Sequence, residues 1–384
     1  MRRNVFIILF SLLLVIPTVL SFFSKSSDVN IENRSTMTKP VFSTDTMQNA
    51  TLMQKSKSYA SELKTYCYFY NLYYDDNFVL RDPLMKRYLS LKILLGSGSV
   101  GKTVMRGKDG WYFLGEHYSN IVSESLGAKP FTDMDKKQIV ERLLDCKHFC
   151  DSMNAKMVLV IPPNKMSIYY EYFPIQVTCR ESRYDQVNEL MKSLDVPYVD
   201  LKDLMLKNKK DSVYLYRHID THWNNKGAFI AYQAIMEKFR LTCPDMTSLT
   251  DSMVVEGEVM FQGDLTNMLA MHDEKEKLIV LYPPVMGETI EPPTLNSING
   301  FDYYKSRCVL STGKRKLVIF GDSFCAVMFP FFSASCHEIL FYQCVGDVLF
   351  DKNVVEQEKP DFVLVEVCER EIETLLNLGI NHYE

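Results

Sequence analysis

The chain has 384 residues, 47% of them apolar and 24% charged, with a formal net charge of −5. That is enough apolar material for one large folded domain or two smaller ones. The mildly acidic balance, without any long basic block, argues against a nucleic-acid-binding surface, which carries a basic surplus.

Met1-Arg2-Arg3-Asn4 is short and positive, and Val5 to Phe23 is almost wholly apolar, broken only by Ser11, Pro17, Thr18 and Ser21. A run of about 20 apolar residues suffices to span a bilayer. Arg2 and Arg3 should stay cytoplasmic and leave the rest of the chain outside. Residues 1–23 are therefore expected to form a transmembrane signal-anchor. A cleaved signal peptide is the rival reading, with Val19-Leu20-Ser21 as the cleavage site, but no clean A-x-A sequence is present. Residues 24–57, rich in Ser, Thr, Asn and Lys, read as a flexible stem. Residues 58–384 read as the folded domain.

Tyr59 to Phe78 and Pro83 to Leu95 have helical spacing. Gly107-Lys108-Asp109-Gly110 is a turn, and Trp111 to Leu114 behind it reads as a strand. From there helices and short apolar strands alternate. Asp133 to Met153 is a helix capped by Thr132 or Asp133, and Lys156 to Ile161 is a strand. Ser182 to Leu194 is a helix, Tyr198 to Leu201 a strand followed by a small turn, and Asn224 to Phe239 an amphipathic helix. Lys316 to Phe320 is an apolar strand running into a helix from about Phe324. His337 to Tyr342 and Asp361 to Glu366 are further strands, and Arg370 to Leu378 a closing helix. This alternation predicts an α/β domain, a doubly wound sheet with central parallel strands covered on both faces. Leu241 to Leu310 lacks a regular pattern and is read as an irregular insertion or lid.

The ten cysteines show no compact disulfide spacing and no C-x-x-C pair, so a structural zinc site is not expected. Mostly buried thiols, with one or two bridges at most, fit an exported chain. Gly96-Ser-Gly-Ser-Val-Gly101-Lys102-Thr103 matches the P-loop pattern literally. A working P-loop follows a strand and opens a helix, whereas here a helical pattern runs in and Gly107 to Gly110 prevents a helix beyond.

Two segments carry chemistry. Lys316-Leu-Val-Ile-Phe-Gly321-Asp322-Ser323 is a buried strand that delivers a serine to the start of a helix. Ligands bind at such strand ends, and the helix dipole with the Ser323 N–H can stabilise an oxyanion. The bland alternative is a turn with an N-cap serine. Asp220-Thr221-His222-Trp223 is the second segment. A serine hydroxyl needs an adjacent base, and that base needs an acid to fix its tautomer. Asp220 and His222 are spaced for one loop to present both. A helix-capping loop with a structural histidine is the alternative; His218, nearby, lacks this arrangement.

Together, D-x-H-W and a later strand ending in G-D-S resemble the SGNH-hydrolase-like domain of the alginate O-acetyltransferase (AlgX/AlgJ, DHHW-like) family. There Asp and His precede Ser, a circularly permuted motif order relative to ordinary SGNH esterases. The resemblance extends to Tyr74 to Arg81, Gly107 to Leu114, Val160 to Tyr169 with Tyr172-Phe173-Pro174, Gly263-Asp264-Leu265, and Lys359 to Arg370. It implies an O-acetyltransferase in which Ser323 becomes acetylated, His222 takes its proton and Asp220 orients His222. A hydroxyl of a cell-surface or exported polysaccharide then accepts the acetyl group. The resemblance further implies an acetyl donor supplied through a multipass membrane-bound O-acyltransferase, no cofactor and no metal. The Gly and Asn donors of an ordinary SGNH oxyanion hole have no evident counterpart, which leaves Asn164, Lys165 and Arg370 as candidates to shape the site. Lys165 as a solvated loop lysine, and Glu366 with Arg370 as a buried ion pair, are the structural alternatives. An acetylesterase using the same triad and a non-catalytic glycan-binding module are the competing functions.

Overall fold

The computed structural model describes residues 2–21, 37–42, 52–78, 80–95, 103–175, 181–210, 213–269, 271–298, 301–345 and 350–379. Residues 96–102 of the P-loop look-alike and Cys179 lie outside them, as does most of the expected stem. The chain divides into two compact units: residues 1–100 with 266–273, and residues 101–265 with 274–384.

The first unit holds helices Arg2–Ser21, Leu52–Asn77 and Arg81–Leu94. The second of these begins within the stretch read as stem. In Arg2–Ser21 the apolar side chains Val5, Phe6, Ile7, Ile8 and Phe10 are exposed. Among the described residues, no helix is long and apolar enough to cross a membrane. The structure thus gives the expected anchor a helix but no span.

In the second unit, β1 (Val104–Arg106) and β2 (Tyr112–Leu114) form an antiparallel pair around the turn at Asp109 and Gly110, both at positive φ. The remaining strands are β3 (Lys156–Val160), β4 (Tyr198–Val199), β5 (Val255–Phe261), β6 (Glu276–Tyr282), β7 (Glu288–Ile298), β8 (Phe301–Val309), β9 (Lys314–Gly321), β10 (Cys336–Cys344) and β11 (Phe362–Glu366). Seven of them form one sheet in the order β4-β3-β11-β9-β10-β8-β7. The run from β4 to β10 is parallel, while β8 and β7 extend it antiparallel. The α/β class with a central parallel sheet is as expected.

The central strands are apolar on both faces because both faces are covered. One face carries Met157, Leu159, Val318, Phe320, Val363 and Val365. It packs against Ile139, Leu143, Cys146 and Cys150 of helix Asp133–Ser152 and Tyr184, Val187 and Met191 of helix Arg183–Met191. Both helices begin with a capping box, built on Thr132/Asp135 and Ser182/Asp185, which satisfies two first-turn donors in each. The opposite face meets helices Asn225–Thr242 and Ser323–Ser333 through contacts such as Phe239 on Phe362 and Phe329 on Phe341.

Three expectations change. The stretch 241–310 is not irregular throughout, since it supplies the β5–β6 pair and the sheet strands β7 and β8. β8 buries Tyr303, Ser306 and Cys308 without a strict alternation, and β7 is exposed and carries Pro292-Pro293, as suits an edge strand that must not pair further. The closing segment Glu369–Asn377 is 3₁₀, not α. The nine described cysteines, seven of them buried, form no bridge among themselves.

The parallel core should behave as one cooperative unit. Leu364 is fully buried on β11, between β3 and β9. Leu364→Ala is expected to cost about 2–5 kcal/mol of unfolding free energy, read as a lowered denaturation midpoint in urea at unchanged slope.

Candidate active site

The site lies where β3, β11 and β9, side by side in the sheet, reach their C-terminal ends. β9 ends at Gly321, where a Cβ would stand 2.7 Å from Glu366 Oε2, so only glycine lets β9 and β11 approach so closely. Asp322 follows and caps the next helix, its Oδ1 accepting the Phe324 N–H at 2.7 Å. Ser323 is thereby the first residue of helix Ser323–Ser333. The N–H groups of a first helical turn lack intrahelical acceptors, which leaves that of Ser323 suited to an oxyanion.

Asp220 and His222 stand on a loop closed by the bridge between Tyr216 and Trp223. Asn224 ends the loop by capping helix Asn225–Thr242. The helix packs on Ser323–Ser333 through Phe229 with Phe331 and Tyr232 with Phe332. Trp223 is fully buried and donates to the Phe324 carbonyl at 3.1 Å. These contacts bring together residues 101 apart in sequence: His222 Nε2 lies 2.6 Å from Ser323 Oγ. On the other side of the ring, Nδ1 lies 2.8 Å from Asp220 Oδ1. With Nδ1–H donating to the carboxylate, Nε2 presents a lone pair to the serine hydroxyl.

Electrostatics separates the acids. Burial alone would raise the pKa of Asp220, but the hydrogen bond and charge of His222, with Arg217 at 3.3 Å, hold it below the usual carboxylate range. Asp220 therefore stays charged and can stabilise an imidazolium. Asp264 is shifted upward, first by burial and then by the Asp220 charge. Its N–H donates to Asp220 Oδ2 at 3.0 Å, and its carboxylate accepts from the N–H and the hydroxyl of Thr221. Sequence reasoning gave Asp264 no role; its only signal was the Gly263-Asp264-Leu265 segment. Gly263 is there for space, since a Cβ would stand 1.9 Å from the Ile219 carbonyl oxygen of the same loop.

Asn164, Lys165, Thr221 and Arg370 line one small cleft with Phe113, Leu114, Ile121 and Met166, with about 10 Å³ of cavity volume. Asn164 is buried, and its N–H donates to Glu369 Oε2 at 2.6 Å. The Arg370 guanidinium lies 5.2 Å from the centre of the Phe324 ring. Lys165 is neither solvated nor aimed at open space. It is 4% exposed and gives its Nζ to the carbonyl oxygens of Arg217, His218 and Asp220 at 3.1, 3.0 and 2.7 Å. Glu366 does not pair with Arg370. It is fully buried, accepts the Asp322 N–H at 2.7 Å, and leaves Oε1 unbonded. Burial, then the Asp322 charge, drive its pKa well above the usual value, which favours its neutral form. His218 faces Glu276 at 3.0 Å, apart from the serine.

Asp220, His222 and Asp264 offer metal-ligand atoms within 4.8 Å of one another. Both imidazole nitrogens already face Asp220 and Ser323, which favours a proton-transfer triad over a metal centre.

Residues 104–326 match the family model described as the SGNH hydrolase-like domain of acetyltransferase AlgX. The chain belongs to this AlgX-type family. Among solved structures, a DHHW family protein from Eubacterium siraeum shares 16% identity at a TM-score of 0.52, covering 74% of this chain and 98% of that one. PatB1 of Bacillus cereus shares 15% at 0.51, over 70% and 96%. The O-acetyltransferase domain of Pseudomonas putida AlgJ shares 18% at 0.47, over 70% and 92%. Likeness at these identities is likeness of fold. No curated protein matches the chain. Within the AlgX-type frame, the matched segment ends just past Ser323 and contains Lys165, Asp220, His222 and Asp264.

A methyl group at 263 should push the Ile219 carbonyl, and the triad loop with it, out of place. Gly263→Ala is expected to lower turnover by on the order of a hundredfold, the scale of a misplacement of about 1 Å. Steady-state kinetics on a variant with an unchanged melting transition checks this.

Proposed function

We propose that this protein is a serine O-acetyltransferase of the SGNH type, acting on a hydroxyl of a polysaccharide through an acetyl-Ser323 intermediate. The observation that carries the reading is the hydrogen-bonded series Ser323 Oγ, His222, Asp220, at 2.6 and 2.8 Å, in a family described by an acetyltransferase. In the first half-reaction Ser323 Oγ attacks the acetyl carbonyl of the donor and His222 Nε2 takes the hydroxyl proton. Asp220 stabilises the resulting imidazolium. The donor's leaving group departs with that proton, leaving an ester on Ser323. In the second, His222 takes the proton of a sugar hydroxyl as its oxygen attacks the ester carbonyl. Ser323 leaves and regains a proton, and the sugar ester forms. The Ser323 N–H at the helix start, with Asn164 and Arg370 lining the adjoining cleft, supplies donors for the oxyanion of each step.

The polysaccharide acceptor is supported by the AlgX-type family. The setting outside the cell membrane rests on the sequence of residues 1–23, and the supply of acetyl groups by a multipass O-acyltransferase rests on the family resemblance alone. An acetylesterase would use the same triad with water as acceptor. Incubation with an activated acetyl ester and glycan separates the two, giving acetylated glycan in one case and only free acetate in the other.

With the acetyl donor alone, intact-protein mass spectrometry is expected to show an adduct of about 42 Da, one acetyl group, mapping to Ser323. Ser323→Ala is expected to abolish it, and His222→Ala to slow its formation by at least about a thousandfold. Undiminished adduct in either variant would remove the triad from the mechanism.

A further inference from the structure

We propose that Lys165 is a positioning residue: its ammonium latches the loop carrying Asp220 and His222 in place through three N–H bonds that only the charged form can complete. The proposal rests on the triad reading above and adds the element that holds the triad's base and acid against the serine.

The geometry is specific. An ammonium has three donors and no acceptor, and all three donors of Lys165 are used on successive turns of one loop, at Arg217, His218 and Asp220. Those carbonyls belong to the residues leading directly into His222. The Lys165 amine also lies 5.6 Å from the centre of the Trp111 ring and 5.1 Å from that of Phe113, a placement that suits a desolvated cation. The lysine itself is fixed by its backbone, because Asn164 beside it is tied to Glu369. Losing one proton would leave two N–H donors for three carbonyls. One carbonyl would then lose its bond to the lysine; that of His218 would keep the Tyr112 N–H at 2.9 Å, whereas loss at Arg217 or Asp220 would remove a restraint on the loop that carries the base.

The charged groups around it set when that happens. On the loop are Asp220, Arg217 and His218. Asp264 approaches from the segment after β5, Glu276 from β6, and Arg370 lines the same cleft from beyond β11. Burial pushes the Lys165 amine down to about 7, against the opposing pull of Asp264, Asp220 and Glu276. A cation with a lowered pKa is charged below that value, so the latch is complete at acid pH and is lost as pH rises through about 7. Activity that depends on the latch therefore falls as pH rises through about 7.

The test measures the nucleophilicity of Ser323 directly, as the rate at which phenylmethylsulfonyl fluoride labels it on the full chain between pH 5 and 9.5. Wild type is expected to fall above about pH 7. In Lys165→Met, nearly isosteric and never charged, labelling at the wild-type optimum should drop ten- to a hundredfold and the falling limb should disappear. The KM for the acetyl donor should stay within about threefold while kcat falls. If the methionine variant does not melt cooperatively, Lys165→Arg is read instead. A guanidinium stays charged throughout the range, so the falling limb should move beyond the highest pH measured. A wild-type profile without a falling limb, or a methionine variant that keeps wild-type rate and profile, overturns the latch. Labelling at Ser323 with no acetyl adduct would sink the transferase reading and leave the latch standing. No labelling at Ser323 at all would sink both.

Discussion

His222 and Ser323 are 101 residues apart in the chain, yet Nε2 and Oγ stand 2.6 Å from each other. Neither group is held by its neighbours in sequence. The serine is fixed by the end of β9 and the helix that follows, and the histidine by a loop that feeds helix Asn225–Thr242. What sets the distance is the packing of those two helices on one face of the sheet, completed by buried Trp223 against Phe324 at a centroid distance of 5.2 Å. Burying such aromatic surface is the largest favourable contribution available to either segment. The Ser323–His222 contact is therefore a by-product of core packing, and loosening the packing would be felt first as lost alignment.

Around that contact the fold buries an unusual density of acids, Asp220, Asp322, Glu366 and Glu369, each under a tenth exposed. Buried carboxylates are tolerated when bonded or neutral. The structure uses both solutions and so assigns different states to similar side chains. Asp220 receives N–H bonds from His222 and Asp264 and remains an anion. Glu366, facing the charge of Asp322 without a cation bonded to it, is driven toward the neutral acid. Glu369 receives the Asn164 N–H and the Ser167 hydroxyl and ties β11's end to β3's. Separating like groups by environment is how one site can hold a stable anion at the base while the turn beneath the nucleophile carries no net repulsion.

Much of this was legible in the sequence, and the parts that were not share a cause. Helices with local end signals were readable: Thr132 and Ser182 announce theirs by a three-residue spacing to Asp135 and Asp185. The helix Leu201–Asn208 was read as a turn although Asp200 caps it through the Asp203 N–H, because eight residues are too few to show a period. The serine, histidine and Asp220 were legible because each sits at a junction that local pattern marks, a buried strand running out or a helix starting. Asp264 was not, since it acts from a stretch without regular pattern and reaches Asp220 and Thr221 only through tertiary contact. Lys165 was visible as a candidate, but its direction was not. Whether a lysine two residues past a Pro-Pro pair faces water or a neighbouring loop depends on where β3 lies relative to residues 217–220.

The sequence segments that resemble the AlgX-type family looked like separate marks, and the structure joins them into successive supports of one loop. Trp111 and Phe113, from the segment Gly107 to Leu114, provide the rings beside the Lys165 amine, and the Tyr112 N–H donates to the His218 carbonyl at 2.9 Å. Lys165 and Tyr169, from the segment Val160 to Tyr169, hold the same loop at three carbonyls and at the Leu215 N–H. Gly263 and Asp264 close on it from the other side through Ile219, Asp220 and Thr221. The segment Lys359 to Arg370 carries Glu366 beneath the serine turn and Glu369 beneath Asn164. Each segment by itself is a short pattern with a bland structural reading. Each of these four also bears on the loop or the turn that presents one half of the Ser323–His222 contact, so alteration there would shift the loop before it unfolded the sheet.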